Sequence, residues 1–332
     1  MVREDTRTLS ELSFNEPVSG VPARHITLHS LVRASSTRAD SHTVVKSNPA
    51  ALSAFHVSID PYAEIGVVGG ATNAIFSALV ALVDPDDEVV CVEPYFDAPK
   101  IAADLMGAKT IGVPLRADWA DTAADWKLDL DELDDALNER TKLLVLNTPH
   151  NPTGKVFDAQ ELGMIARVVR EENQNRAPGD ELLVIADEVY KYICHGSEKH
   201  VHFAALEGMR DVTLTVSSAG KTFSATGWQV GWIVGPRHLV KPCQALLPYL
   251  QFCAPTPMQA ALADCLDEAD RPYHGAPSYY ARLAKKYAEK RQVLCEALCA
   301  ACVETLPSAG GYFVVGDVSN LLGVMPSSYL ED

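Results

Sequence analysis

The chain has 332 residues, 47% of them hydrophobic, and a formal net charge of −16. This length and apolar content allow one large domain with part of a second. The acidic balance argues against binding to nucleic acid or to an anionic membrane, because both require a basic protein surface. The apolar runs, such as residues 78–83, are far too short to span a bilayer.

The first 46 residues show no clear helical or strand period. An arm, a poorly ordered tail and a sequence foreign to the fold remain alternatives for residues 1–46. Residues 18–45 are rich in Ser, Arg and His, as mitochondrial targeting segments are, but acidic residues precede them. The eight cysteines of this acidic chain indicate reduced thiols rather than a disulfide framework. We therefore expect a cytoplasmic protein, with a mitochondrial location as the alternative.

Short β-branched runs alternate with longer helix-like segments between residues 64 and 234. The runs predicted to be strands are residues 89–92, 142–146, 182–186, 212–216 and 232–234. This alternation is typical of an α/β domain whose mostly parallel sheet is covered by helices on both faces.

Polar and aromatic groups follow four of these strands. Phe96 (with Tyr95 as the neighbouring alternative), Asn151, Asp187 and Lys221 each come shortly after a strand ends. Because open parallel sheets bind ligands beyond the carboxyl ends of their strands, we expect these groups to share one edge of the sheet.

The run Gly69-Gly70-Ala71-Thr72 lies between an apolar run and a predicted helix over residues 73–83. Free backbone amides at a helix N-terminus bind an anion without a basic surface. The run therefore predicts a phosphate site.

Lys221 lies in a Gly/Ser-rich turn, where its primary amine can form a Schiff base with an aldehyde cofactor. The Gly-Lys-Thr sequence also resembles a nucleotide-binding loop. That alternative fails because Thr215 stands where the loop requires its first glycine.

Two further clusters have ordinary structural interpretations. The sequence predicts one long helix over residues 279–302, on which Cys295, Cys299 and Cys302 share a face, and we expect them to pack in a core. His195, His200 and His202 lie in a polar connector without a paired carboxylate or cysteine pattern. We expect them to be surface residues rather than zinc ligands.

Three segments carry a family resemblance: Asn151-Pro152-Thr153-Gly154, Asp187-Glu188-Val189-Tyr190 and the run from Ser217 to Trp228. With them the chain resembles a fold-type I, class I/II pyridoxal-phosphate aminotransferase of the kynurenine aminotransferase and cysteine-S-conjugate β-lyase group. The resemblance implies an α/β fold in which a large domain of residues 47–290 binds the cofactor. An incomplete small α/β domain of residues 291–332 and a divergent N-terminal segment of residues 1–46 complete the predicted division.

The implied activity is pyridoxal-phosphate-dependent transfer of an amino group between an amino acid, kynurenine-like, glutamine-like or aromatic, and a 2-oxo acid, by a homodimer. A β-lyase acting on cysteine S-conjugates and a degenerate cofactor-binding fragment with little activity are the alternatives. The sequence does not separate the two reactions, because they differ only in substrate and in the fate of the carbanion.

The resemblance also assigns roles to individual residues. Lys221 would form the Schiff base and move the substrate's α-proton, and Asp187 would keep the pyridine nitrogen protonated. Asn151 and Tyr190 would hydrogen-bond the phenolate oxygen, and Phe96 would stack on the ring. The phosphate would be held by Gly70, Ala71, Thr72 and Ser218, with Thr226 as a further hydroxyl donor.

Three departures from the family's pattern accompany this resemblance. Gln229 stands where the family has a cation for the cofactor phosphate, which predicts weaker cofactor retention. The family's carboxylate-binding arginine has no counterpart that we can nominate, and residues 1–46 do not match the segment that usually covers the substrate. We therefore expect a truncated chain that keeps the cofactor-binding core.

Overall fold

The computed structural model describes residues 59–60, 62–117, 122–197 and 199–321. The alternatives for residues 1–46 lie outside the described residues. None of the described helices is long and apolar enough to cross a membrane.

A mixed sheet of eight strands forms the centre of the fold, in the order β1-β8-β7-β6-β5-β2-β3-β4. The strands are β1 (Ile65–Val68), β2 (Glu88–Glu93), β3 (Lys109–Arg116), β4 (Lys127–Leu128), β5 (Thr141–Asn147), β6 (Leu183–Asp187), β7 (Thr213–Ser218) and β8 (Gly231–Val234). Strands β3, β2, β5, β6 and β7 are parallel, whereas β4, β8 and β1 pair antiparallel with their neighbours. The predicted mostly parallel α/β sheet is confirmed.

Eight α-helices accompany the strands in the described part of the chain. They are α1 (Ala71–Leu82), α2 (Ala98–Met106), α3 (Leu130–Asp135), α4 (Ala159–Gln174), α5 (Ala219–Thr222), α6 (Arg237–Leu250), α7 (Thr256–Glu268) and α8 (Tyr279–Ala300). Every residue of β6 is buried. A strand buried on both faces requires cover on both sides of the sheet, which explains its continuous apolar sequence.

Helix α4 shows how local sequence sets the strand order. Asp158 caps the helix by accepting hydrogen bonds from the amides of Gln160 and Glu161, and the Glu161 carboxylate accepts a hydrogen bond from the Asp158 amide. This capping box starts the helix after the loop that follows β5. Leu162, Ile165, Ala166 and Val169 then form its buried stripe, so α4 crosses the sheet and delivers β6 next to β5.

The later turns of the long helix α8 are more exposed to solvent than the sequence predicted. Only Tyr280 and Leu283 are buried along it, whereas Cys295 is half-buried and Cys299 and Cys302 are exposed. The prediction that these three cysteines pack in a core is wrong, because within the described residues the chain that follows the helix covers its later turns only in part. Beyond α8, β9 (Glu304–Leu306) pairs antiparallel with β10 (Val315–Asp317).

The predicted division at residue 290 falls inside α8, which is continuous from Tyr279 to Ala300. The domain boundaries stay a prediction.

The eight thiols are all free, and burial separates them into classes. Burial raises the pKa of both Cys91 and Cys243 to about 12, so neither forms the reactive thiolate at neutral pH.

We expect a thiol reagent such as dithionitrobenzoate to modify Cys253, Cys299 and Cys302 rapidly in the native protein, and Cys91 and Cys243 only after denaturation. Peptide mapping after a short reaction checks this, and Cys299→Ser should remove one rapidly reacting thiol.

Candidate active site

A cavity of about 450 Å³ lies at the carboxyl edge of the parallel strands. Its wall contains all nine residues that the sequence nominated: Gly70, Ala71, Thr72, Phe96, Asn151, Asp187, Tyr190, Ser218 and Lys221. Thr226, Gln229 and Phe313 line it as well. The structure thus brings groups from six separate chain segments into one site.

Strand register brings the central groups together. Asn147, the last residue of β5, pairs with Asp187, the last residue of β6, which in turn pairs with Val216 of β7. The Asn147 side chain reinforces the alignment: its Nδ2 donates to the Asp187 carbonyl at 2.8 Å, and its Oδ1 accepts from the Asn151 amide at 2.6 Å. The loop that carries Asn151 is therefore fixed to the strand that carries Asp187.

The Asp187 carboxyl group is buried, and its Oδ1 accepts a hydrogen bond from the Val189 amide at 3.3 Å. Burial raises its pKa to about 7, against the lowering effect of that amide; the charge of Glu188 raises it further, and the charge of Lys221 lowers it. A buried carboxylate favours any cation that approaches it. A protonated ring nitrogen beside Asp187 would restore the charged form of the side chain.

The N-terminus of α1 forms another part of the wall. Gly70 precedes the helix with φ 92°, and no side chain caps the first amides. Strand β8 approaches closely here, since a Cβ on Gly231 would lie 2.7 Å from the Gly70 carbonyl carbon. Within the described residues the N-cap supplies no side-chain partner for the first amides of this twelve-residue helix, and such amides can bind an anion.

The Lys221 side chain reaches the same cavity from α5. Its Nζ donates a hydrogen bond to the Tyr312 hydroxyl and lies 5.5 Å from the centre of the Tyr190 ring. Sequence reasoning did not nominate Tyr312 or Phe313 for the site. Both precede β10, which begins at Val315, and the Gly310-Gly311 pair was the available signal that the chain turns before them.

Comparison with known proteins agrees with this geometry. The family model described as aminotransferase class I and II matches residues 32–328. The chain is 38% identical over 267 residues to kynurenine–oxoglutarate transaminase 3 of Mus musculus, covering 79% of this chain and 57% of that protein. The chain belongs to the class I and II aminotransferase family.

Further relatives have the same fold. Kynurenine–oxoglutarate transaminase 1 of Mus musculus is 36% identical over 273 residues, which are 81% of this chain and 62% of that protein. The solved N-succinyldiaminopimelate aminotransferase of Mycobacterium tuberculosis superposes with a TM-score of 0.74 at 33% identity, covering 91% of this chain and 70% of the other. The chain therefore spans less than two thirds of the length of the curated relatives quoted.

Membership in this family implies pyridoxal phosphate as the cofactor, and the cavity has donors that fit it. The buried Asp187 carboxyl would face the pyridine nitrogen, Lys221 offers an amine for the aldehyde, and the α1 amides face the position for a phosphate. The buried Ser217 and Thr222 hydroxyls beside Ser218 and Lys221 have no hydrogen-bond partner within the described residues.

Gln229 lines the part of the cavity where a phosphate would bind, and its side chain carries no charge. It lies in the left-handed region with φ 48°, and its Nε2 donates to the Thr226 carbonyl at 2.8 Å. Its Oε1 consequently faces Gly70, 3.3 Å from the position of a Cβ there. Among the described residues that line the cavity, Lys221 is the one lysine or arginine.

The histidine prediction is wrong in its main point. His195 and His202 are buried, and the His200 side chain is 7% exposed. The carboxylate that the sequence argument found missing is Glu188: its Oε2 accepts from His202 Nδ1 and lies 3.1 Å from His200 Nε2. Strand alternation directs Glu188 away from Asp187, and the i, i+2 spacing of the two histidines could have indicated a shared face.

Glu188, His200 and His202 form one compact cluster of titratable side chains. Burial raises the pKa of Glu188, but the charges of His202 and His200 and their hydrogen bonds outweigh it and hold that pKa well below its usual range. The three ligand atoms lie within 4.8 Å of one another. Burial lowers the pKa of His200, against the raising effect of Glu188, and the charges of His202 and Lys191 lower it further. Glu188 Oε1 also accepts from the Phe203 amide at 3.1 Å, so this buried cluster links the segment that follows β6 to residues 200–203.

Replacing Gln229 by arginine should tighten pyridoxal phosphate binding. A guanidinium would supply the charge-assisted hydrogen bond that the amide does not make, for about a tenfold lower Kd. Equilibrium titration of cofactor-free protein by visible absorbance measures the change. Gln229→Met is the matched control, because it keeps the side-chain length but adds no charge. Equal affinity in the arginine variant and wild type would mean that another group already neutralises the phosphate.

Replacing Asp187 by asparagine should remove a pH-dependent decrease in the free energy of unfolding of the cofactor-free protein. The pKa of Asp187 is raised from 3.8 to about 7, so its folded form binds more protons between these values and wild-type stability falls as pH rises through this range. The variant should therefore gain stability relative to wild type by roughly 2 kcal/mol more at pH 8 than at pH 5. Urea unfolding at both pH values checks this; a pH-independent difference would contradict it.

Proposed function

We propose that this protein is a pyridoxal-phosphate-dependent aminotransferase that transfers an amino group between an amino acid and a 2-oxo acid. The observation that carries the proposal is the meeting of Asp187, Tyr190 and Lys221 in one cavity at the carboxyl edge of the sheet. The family match and the kynurenine–oxoglutarate transaminase relatives support the same reaction.

When bound, pyridoxal phosphate supplies an aldehyde that captures the amino group and a ring that accepts the electrons of the bond broken at the α-carbon. Lys221 would hold the aldehyde and afterwards move a proton at the substrate's α-carbon with its Nζ. Its position between the Tyr190 and Tyr312 rings supports this role.

Asp187 would keep the ring nitrogen protonated. Burial makes its carboxylate costly without a partner, so a cation on the ring is the form that the site favours. The neighbouring Glu188 already has its partners in His200 and His202. Asp187 rather than Glu188 would therefore be the carboxylate that stabilises the protonated ring nitrogen.

The remaining nominated residues would orient the cofactor. Asn151 and Tyr190 would donate to the phenolate oxygen and Phe96, 43% exposed on the cavity rim, would cover one ring face. The phosphate would lie against the amides and hydroxyls of Gly70, Ala71, Thr72 and Ser218.

For the amino donor we propose an aromatic or kynurenine-like amino acid. The curated relatives quoted are kynurenine–oxoglutarate transaminases, whereas the solved relative from Mycobacterium tuberculosis acts on N-succinyldiaminopimelate. The fold thus accepts different donors. The Phe96, Tyr190 and Phe313 side chains in the cavity wall favour a flat apolar side chain over a charged one.

We further propose that two copies associate through the surface at the end of α6. Tyr249 is 75% exposed and Phe252 is 81% exposed, with Leu250 between them. Exposed aromatic side chains grouped in this way are typical of an interface. The cytoplasmic location stays a prediction that the eight free thiols favour.

The visible spectrum tests the reaction class. We expect purified protein with added pyridoxal phosphate to show the absorbance of a lysine-bound cofactor, and a donor such as kynurenine or glutamine to convert it to the pyridoxamine form. Lys221→Ala should abolish the first band, because the covalent bond cannot form. Lys290→Ala, which removes a lysine from the later turns of α8, is the matched control.

Other outcomes assign the chain differently. Release of ammonia, a thiol and pyruvate from a cysteine S-conjugate, without conversion of the cofactor, would favour the β-lyase. A lysine-bound cofactor that no donor alters would indicate a cofactor-binding protein without transaminase activity, and a band that survives in Lys221→Ala would make the central assignment wrong.

A further inference from the structure

The hydrogen bond between Lys221 and Tyr312 joins positions 91 residues apart in the chain. Lys221 Nζ donates to the Tyr312 hydroxyl and lies 5.0 Å from the centre of that ring. Tyr312 is not part of the regular structure: it follows the Gly310-Gly311 pair and precedes β10. The backbone before it therefore decides where its hydroxyl lies.

That backbone is held against the segments that follow β5 and β6 by several hydrogen bonds. The amides of Ala309 and Gly310 both donate to the Gly154 carbonyl at 2.9 Å, and the Gly311 amide donates to the Ile193 carbonyl at 2.7 Å. Gly310 has no room for a side chain, since a Cβ would lie 2.7 Å from Val156 and 2.9 Å from the Ile193 carbonyl oxygen. Gly311 has φ 69°, which favours glycine.

His195 completes this attachment. Its amide donates to the Ala309 carbonyl at 2.7 Å, and its Nε2 lies 3.0 Å from the Gly311 carbonyl, to which it donates. Burial lowers the pKa of His195 to about 4, and the charge of Arg291 lowers it further. The ring is therefore neutral at neutral pH, with its proton on the nitrogen that faces the carbonyl.

The Tyr312 ring is also fixed by its neighbours. It stacks on Tyr287 of α8 at 5.7 Å between ring centres and meets the Tyr190 ring edge-on at 5.2 Å. Burial raises the pKa of Tyr190, and the neighbouring Tyr312 hydroxyl raises it further. Tyr312 thus contacts both the lysine and the tyrosine that the proposed reaction uses.

We propose that Tyr312 is a positioning residue for Lys221: its hydroxyl accepts a hydrogen bond from Nζ and so fixes where the amine stands in the cavity. This inference rests on the proposed function and extends it to the steps before and after the cofactor is attached. A fixed amine approaches the cofactor's aldehyde in one orientation, and once displaced it remains within reach of the substrate's α-proton. The ring alone, without the hydroxyl, would provide packing but no such orientation.

The first test uses cofactor-free protein and needs no turnover. The second-order rate of pyridoxal phosphate capture is followed by visible absorbance in wild type, Tyr312→Phe and Tyr287→Phe. We expect Tyr312→Phe to slow capture about five- to tenfold, because the aldehyde then meets an amine without a fixed orientation. Tyr287→Phe removes a hydroxyl from the stacked ring, whose contact with Ser224 Oγ is 3.5 Å, and should stay within about twofold of wild type.

The second test uses the loaded enzyme and an α-deuterated amino donor in single-turnover experiments. Tyr312→Phe should increase the isotope effect on the half-reaction and leave the donor's apparent affinity unchanged, since proton transfer alone becomes harder. A residue that only packs would leave the isotope effect as it is. Unfolding midpoints of all three proteins establish that the variants are equally folded.

The two tests separate the possible failures. If wild type captures the cofactor but converts no donor, the proposed function is wrong, and the capture rates still decide the role of Tyr312. If Tyr312→Phe captures the cofactor as fast as wild type, or as fast as Tyr287→Phe, the positioning role is overturned. A slower capture confined to Tyr312→Phe supports it.

Discussion

The parallel register of β5, β6 and β7 is the constraint on which the site depends. Pairing of Asn147 with Asp187 and of Asp187 with Val216 places the ends of β5 and β6 level with each other and beside Val216 near the end of β7. A shift of one residue would exchange the two faces of a strand and turn Asp187 out of the cavity. The Asn147 side chain hydrogen-bonds across this end, to the Asp187 carbonyl and the Asn151 amide. The contacts that align these strands thus also position the residues of the site.

Two adjacent carboxylates show how burial is used in opposite ways. Asp187 and Glu188 are both buried, yet Asp187 has its pKa raised and Glu188 has its pKa lowered. The difference lies in their partners, since Glu188 meets two histidines whereas Asp187 faces the cavity. An unpaired buried carboxylate is costly for the fold and valuable for a ligand that brings a positive charge.

The fold and the core of the site could be predicted because their signals are local in sequence. Strands over residues 182–186 and 212–216 end directly before Asp187 and Lys221, and parallel strands place such residues at one edge. Tyr312 could not be found in this way, because its position depends on hydrogen bonds from residues 309–311 to Gly154 and Ile193. The cysteines of α8 were misjudged because helical spacing shows which residues share a face but not whether another element covers it.

Attachment of residues 309–311 to the segments that follow β5 and β6 also restricts how the cavity can open. Gly154 and Ile193 hold this segment through backbone hydrogen bonds, and Gly310 is packed too closely for any side chain. Its displacement would break several backbone bonds at once, so this side of the cavity behaves as a fixed wall. On this side of the cavity, within the described residues, a movement would have to involve the segment beyond Phe313 or the exposed turns of α8. A substrate would enter past a stationary tyrosine, and the width of that passage would set the largest side chain that the cavity admits.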